Sequence, residues 1–272
     1  MITSGGLLRA DSPPHLPISD LAMDTPQPTT ASPRRAIVIG ASSGIGAALV
    51  EALAAEGASV GAVARRAGLL DELSAAGGHI LTRSHDVRDS AAVPELFEEL
   101  VRELGGLDLL IFAAALMPAV ERDEYNTEKD LAMLAVNVGG AIAWCNEAAG
   151  FFKSQRRGHI VGISSIAADR GRKGAPVYGA TKAALDHYLE ALRNRLSEAN
   201  VSVTTIKPGF VATDMTAGMG KLPFIISAPS AARRILSAVR QGAETRYVPL
   251  RWWLVGRALG LVPSFIFKRL NV

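Results

Sequence analysis

The sequence predicts an α/β fold, a single doubly wound domain built on a parallel sheet of about seven strands. Three observations predict it. From Arg35 onward, short apolar runs alternate with longer helical patterns about six times. The runs are apolar on both faces, as in "LLIFAAA" (109–115), which suits strands covered by helices above and below. The connections are short, so the layer and handedness rules leave a parallel sheet with helices on both sides. The 272 residues suit one large α/β domain, and no internal repeat or second-domain boundary is visible.

The elements follow in order. Residues 36–39 (AIVI) form the first strand, and 47–55 a helix that ends at Gly57. The second strand covers 59–64 and is followed by a helix around 68–75; the third strand covers 79–84. "SAAVPELFEELVRELGG" (90–106) is an amphipathic helix with Ser90 as its cap and Gly105-Gly106 as its stop. The fourth strand (107–115) leads into a long helix over 128–153. "GHIVGISS" (158–165) is the fifth strand, 177–200 a second long helix, and "VSVTTIKPG" (201–209) the sixth strand. A helix over 231–241 and a seventh strand in "TRYVPL" (245–250) complete the pattern.

Composition bounds the partners. Hydrophobic residues make up 49% and charged residues 20%, as in a folded globular chain. A net charge of +3 without a dense basic stripe speaks against nucleic acid. Cys145 is the only cysteine, so no internal disulfide can form, which suits a reducing cytoplasm. No metal is expected. Residues 1–33, rich in Pro, Ser and Thr, read as a mobile tail ahead of a catalytic domain over 34–250. The tail lacks a basic start followed by a continuous apolar stretch, so it is not a signal peptide, and Met23 is an alternative start.

"IGASSGIG" (39–46) lies between the first strand and the first helix. In a doubly wound sheet, nucleotides bind at this first turn, where the strand order reverses. Gly40, Gly44 and Gly46 allow a tight turn and close approach to a ligand. The following helix offers free N–H groups and the positive end of its dipole to a pyrophosphate. Ser42 and Ser43 can add hydroxyl contacts. The same residues also suit an ordinary strand-to-helix turn with a packing glycine.

The spacing G-x-x-x-G-x-G resembles the cofactor loop of the short-chain dehydrogenases/reductases, and further motifs extend the resemblance over roughly 35–215. "HDVRD" (85–89) is similar to the family's third-strand end, which implies that Asp86 and Val87 contact adenine. "AVNVGG" holds Asn137, "ISSIA" holds Ser165, and "YGATK" holds Tyr178 and Lys182. "KPGFVATDM" is similar to the loop after strand six, which places Pro208, Gly209, Val211 and Thr213 near the nicotinamide; Ile45 joins the glycine loop. Where the family has "NNAG", this chain has Phe112-Ala113-Ala114-Ala115. Ala114 still permits close backbone approach to the cofactor, but the usual asparagine side chain is missing.

The resemblance implies a Rossmann-like fold and a Ser165, Tyr178, Lys182 and Asn137 tetrad. Tyr178 and Lys182 share a helix face. An ammonium group near a phenol favours the tyrosinate, so Tyr178 is expected to act as general acid in carbonyl reduction and base in alcohol oxidation. Lys182 would hydrogen-bond the nicotinamide ribose. Ser165 would hold the substrate oxygen where charge develops. Asn137 would hold a water that links Lys182 to solvent. Taken singly, each has a plain structural alternative: a packed ring beside a snorkelling amine, a turn serine, a surface asparagine.

The second strand ends Val63-Ala64-Arg65-Arg66 without the acid that binds the ribose hydroxyls of NAD. Arg65 can pair with a 2′-phosphate, so NADP(H) is the expected cofactor, with NAD(H) as the alternative. "DMTAGMGKLPFIISAPS" (214–230) suits a mobile apolar lid over the substrate, or a loop packed on the core or on a partner. The apolar extension 251–272 is too interrupted for a membrane span; it suits a pocket cover, a subunit interface or a peripheral membrane contact.

The expected activity is therefore NADP(H)-dependent interconversion of a ketone and a secondary alcohol on a small lipophilic substrate, such as a 3-oxoacyl chain, a steroid-like ketone or a long-chain keto-lipid. A cytoplasmic, possibly membrane-associated homodimer or homotetramer built through the two long helices is expected. The alternatives are a redox-sensing nucleotide-binding protein without turnover and a sugar-nucleotide dehydratase or epimerase.

Overall fold

The computed structural model describes residues 34–270. The tail expected over 1–33 and the last two residues of the extension lie outside the described residues. The chain runs β1 (Arg35–Ile39), α1 (Gly44–Ala55), β2 (Ser59–Ala64), α2 (Ala67–Ala75), β3 (His79–Ser84), α3 (Val93–Leu104) and β4 (Leu109–Phe112). It continues with α4 (Thr127–Leu134), α5 (Gly140–Gln155), β5 (Gly158–Ile163), α6 (Pro176–Leu196) and β6 (Val201–Pro208). Then come β7 (Val211–Ala212), β8 (Ile226–Ser227), α7 (Ala228–Arg240), β9 (Thr245–Val248), α8 (Arg251–Leu261) and α9 (Ser264–Phe267).

Seven strands form one sheet in the order β3-β2-β1-β4-β5-β6-β9. Every pairing in it is parallel. Alternation along each strand divides the core into two layers. Val38, Leu109 and Ile111 face α1, α2 and α7, where Leu49, Leu70 and Ile235 meet them. Ile37, Leu110 and Phe112 face α3, α5 and α6, where Phe97, Trp144 and Leu189 meet them. The continuous apolar strands thus have a direct cause: both faces are buried.

The long helix expected over 128–153 is longer and is not regular. α4 and α5 are joined by a π-helical segment, Ala135–Gly139, with Asn137 at its centre. The helical stretch Thr127–Gln155 is long and apolar enough to cross a membrane, yet Trp144, Cys145, Ala148 and Phe152 along it are fully buried in the core. Single π turns inside α-helices gather where a side chain has a special task, and Asn137 has one. Its Oδ1 accepts from the Leu116 N–H at 2.7 Å; its Nδ2 donates to the Leu116 carbonyl at 3.0 Å and to Thr181 Oγ1 at 3.0 Å.

One further feature was not expected. β7 and β8 pair in parallel, Val211 with Ile226 and Ala212 with Ser227, and so pin both ends of the loop 213–225. The extension 251–270 forms α8 and α9, which pack back on the domain.

Replacing Asn137 with alanine would leave the part-buried Leu116 N–H and carbonyl without their partner and take from Thr181 Oγ1 one of its two hydrogen bonds. Chemical denaturation is expected to show a loss of about 3 kcal/mol.

Candidate active site

A cavity of about 930 Å³ opens between β1 and β4, where the sheet order turns outward in both directions. Three groups of residues build it.

The first is the glycine loop. The Gly40 and Ala41 N–H groups both donate to the Val63 carbonyl, at 2.8 and 3.1 Å, which folds the chain sharply out of β1. Gly40 has φ +89° and presses on the backbone of Ala113 and Ala114, so no side chain fits there. A β-carbon on Gly46 would run into the Gly40 carbonyl. The helix starts at Gly44, three residues before the expected start, and so brings its first N–H groups to the cavity. Ser42, Ser43, Gly44, Ile45 and Gly46 all line it. Pro208, Gly209, Val211 and Thr213 form the facing wall, with Thr213 packed against Gly44.

The second group comes from the ends of β2 and β3. Arg65 and Arg66 both line the cavity, with His85 and Val87. Arg66 Nε donates to Ser42 Oγ at 3.1 Å and Nη2 to Ser43 Oγ at 2.5 Å. It also lies 3.7 Å from the Asp214 carboxylate. Asp86 does not line the cavity. Hydrogen bonds from Arg88, the shortest at 2.6 Å, pull its carboxyl down to about 2, and Arg65 stands 4.0 Å from the same carboxylate. Sequence reasoning singled out Arg65 and passed over Arg66. The signal that could have found it is two adjacent arginines facing two adjacent loop hydroxyls.

The third group is Ser165, Tyr178 and Lys182, all on the cavity wall. Ser165 follows β5 in extended conformation, and its Oγ accepts from the Ala167 N–H at 3.1 Å. Tyr178 sits in the first turn of α6. Lys182, one turn on, is buried; its Nζ donates to the Ile163 carbonyl at 2.8 Å and lies 5.8 Å from the Tyr178 ring. Asn137 does not line the cavity. It acts from behind, fixing Leu116 on the cavity wall and reaching Thr181, whose hydroxyl donates to the Tyr178 carbonyl at 2.7 Å. The chain Phe112-Ala113-Ala114-Ala115 keeps its small residues at the cavity, and Ala114 packs on Gly40 as expected of a close approach.

The electrostatics differ from the simple expectation that Lys182 lowers Tyr178. Burial pushes the Tyr178 phenol up, and the groups that oppose it are the Ser165 hydroxyl and the Arg172 guanidinium. Burial also pulls Lys182 down to about 8, against the attraction of Asp186. Behind α6, Lys207 forms ion pairs with Asp169 and, at 2.8 Å, with Asp186. Tyr247 donates to Asp169 at 3.1 Å. A lysine inside the apolar strand "VSVTTIKPG" was the visible clue to this network, since a buried ammonium needs carboxylates.

Opposite the arginines, the cavity is apolar, with Met117, Val120, Ile166, Met215, Met219 and Leu222. Arg172 is the half-buried cation on that side, and no carboxylate pairs with it among the described residues. No cluster of metal-ligating residues is present among the described residues.

Known proteins match this arrangement. The family model described as short chain dehydrogenase matches residues 34–221. An uncharacterized oxidoreductase of Myxococcus xanthus is 33% identical over 239 residues, 86% of this chain and 94% of the relative. Carbonyl reductase family member 4 of Xenopus tropicalis is 31% identical, over 67% of this chain and 77% of that protein. A short-chain dehydrogenase of Burkholderia cenocepacia, solved in complex with NADP, superposes with a TM-score of 0.76 at 26% identity, covering 88% of this chain and 97% of that one. Motif order, sheet topology and cavity agree with these matches, and the chain belongs to the short-chain dehydrogenase/reductase family of oxidoreductases.

Proposed function

We propose that the protein is an NADP(H)-dependent oxidoreductase that interconverts a ketone and a secondary alcohol on a lipophilic substrate. The observation that carries the reading is the convergence of Ser165, Tyr178 and Lys182 on one cavity that also holds the glycine loop and two arginines. The residues present fit a dinucleotide: glycines that no side chain could replace, a helix start, Arg66 bonded to Ser42 and Ser43, and Arg65 on the same cavity wall. A bound nicotinamide supplies the hydride.

The residues then divide the remaining work. Ser165 Oγ donates to the substrate oxygen, where negative charge builds. Tyr178, kept protonated at neutral pH by burial, delivers the proton to that oxygen in reduction and takes it back in oxidation. Lys182, tied to the end of β5 and on the cavity wall with Tyr178, would hold the ribose of a bound cofactor. Asn137 is a positioning residue that holds the wall at Leu116 and the base of α6.

The apolar end of the cavity supports a lipophilic substrate, and the unpaired Arg172 favours one with a polar or acidic group, as in a 3-oxoacyl chain. Arg66 and Arg65 support NADP(H) over NAD(H), and the NADP complex of the Burkholderia relative adds to that support. Exposed Leu131, Leu134 and Ile142 on α4 and α5 support a homo-oligomer through these helices.

Three outcomes test the reading. Tyr178→Phe is expected to lose about 10²–10⁴ in kcat with a ketone and NADPH while NADPH titration stays unchanged; full activity in this variant would remove the mechanism. Arg66→Ala and Arg65→Ala are each expected to weaken NADPH about tenfold or more and to leave NADH nearly unchanged, read by fluorescence titration at fixed salt. The pH profile should be set by Lys182, which is charged below about 8 and neutral above it. Reduction is expected to be level on the acid side and to fall as pH rises through about 8. A fall that begins only above the ordinary tyrosine range of about 10, where burial places Tyr178, would assign the limb to Tyr178 instead.

A further inference from the structure

The end of the chain carries a surface that the reaction does not use. α8 turns Trp252 inward, where it meets Phe210 and Phe224 edge-on at 5.5 and 5.6 Å between ring centres. Arg170 donates to the carbonyls of Leu259 and Val262 and stands 3.9 Å over the Phe267 ring. The helix pair is thus held against the domain at both ends. Its outward side is nevertheless apolar: Trp253 is 43% exposed, Leu254 64%, Leu261 84% and Phe265 59%. Arg251, Arg257, Lys268 and Arg269 stand among these residues, and positions 251–272 contain no Asp or Glu. The patch continues to the cavity mouth. Arg251 lies 4.5 Å over the exposed Phe224 ring, and Met219, exposed, also lines the cavity.

Length and charge decide what covers it. α8 has 11 residues, about 16 Å at the helical rise, against about 30 Å for a bilayer core, so it cannot span. A two-fold contact between copies would set the patch against itself, four cations against four with no carboxylate in the segment to relieve them. A bilayer bearing anionic headgroups satisfies both halves of the surface: apolar side chains enter the interface and cations meet phosphates. An exposed tryptophan among basic residues suits that depth.

We propose that α8 and α9 dock the protein on an anionic lipid surface, lying in its plane with Trp253, Leu254, Leu261 and Phe265 inserted. The cavity mouth around Met219 and Phe224 then faces the lipid. This inference stands on the C-terminal surface and does not require the cofactor assignment.

The test is flotation of the full chain with vesicles of phosphatidylcholine alone or mixed with phosphatidylglycerol. The expected result is binding to the mixed vesicles only, weakened by salt. Trp253 fluorescence should be quenched by brominated lipid, whereas the buried Trp144 and Trp252 are not. The triple variant Trp253→Ser, Leu261→Ser, Phe265→Ser should lose at least tenfold in partitioning, and Lys268→Gln with Arg269→Gln about fivefold per charge. Unchanged NADPH binding and unfolding midpoint in these variants show that the fold is intact. The proposal is overturned if the parent stays soluble with anionic vesicles, if the folded triple variant binds as well as the parent, or if that variant alters only the oligomeric state.

Discussion

A buried ammonium is the costliest group in this fold, and much of the fold is arranged around Lys182. Its Nζ has a carbonyl partner, Ile163 at the end of β5, and a carboxylate one helical turn away, Asp186. Asp186 is in turn held by Lys207 on β6, which also takes Asp169. The central strands, α6 and the turn after β5 are therefore joined by charge as well as by apolar packing. Removing Lys207 would take the cation from both Asp169 and Asp186 in a low-dielectric interior. That requirement fixes α6 against the sheet and sets where Tyr178 stands.

The cavity built on this frame has two characters. One end is backbone and cation: glycines that admit no side chain, a helix start, and Arg65 beside an Arg66 braced on two serines. The other is apolar, with Met215, Met219 and Leu222 on a loop pinned at both ends by a two-residue parallel pair. Besides that pair, the loop is held by the 3₁₀ turn Asp214–Thr216 and by Phe224 packed on Trp252.

Much of this was legible in the chain. The parallel sheet and the two-layer core follow from unbroken apolar runs and short connections, since a parallel sheet must be covered on both faces. The glycine loop and the tetrad candidates were legible because their motifs resemble those of the family, and Tyr178 and Lys182 stand one helix turn apart. What escaped was set by tertiary contact. No periodicity announces a π segment: the extra residue in that turn is held by hydrogen bonds from Asn137 to Leu116, 21 positions away. The β7–β8 pair is too short to leave a pattern. The shift in Tyr178 depends on burial and on Arg172 from a neighbouring loop, which no local reading supplies.

The contact between Trp252 and Gly209 reaches further than packing. A β-carbon at 209 would occupy the place of the indole ring, so the identity of a residue on the cavity wall is dictated by a helix 43 positions later in the chain. The two sites must drift together. A lineage that shed the terminal helix would release position 209 to accept a side chain and reshape the wall, whereas one that retains the tryptophan is bound to glycine there.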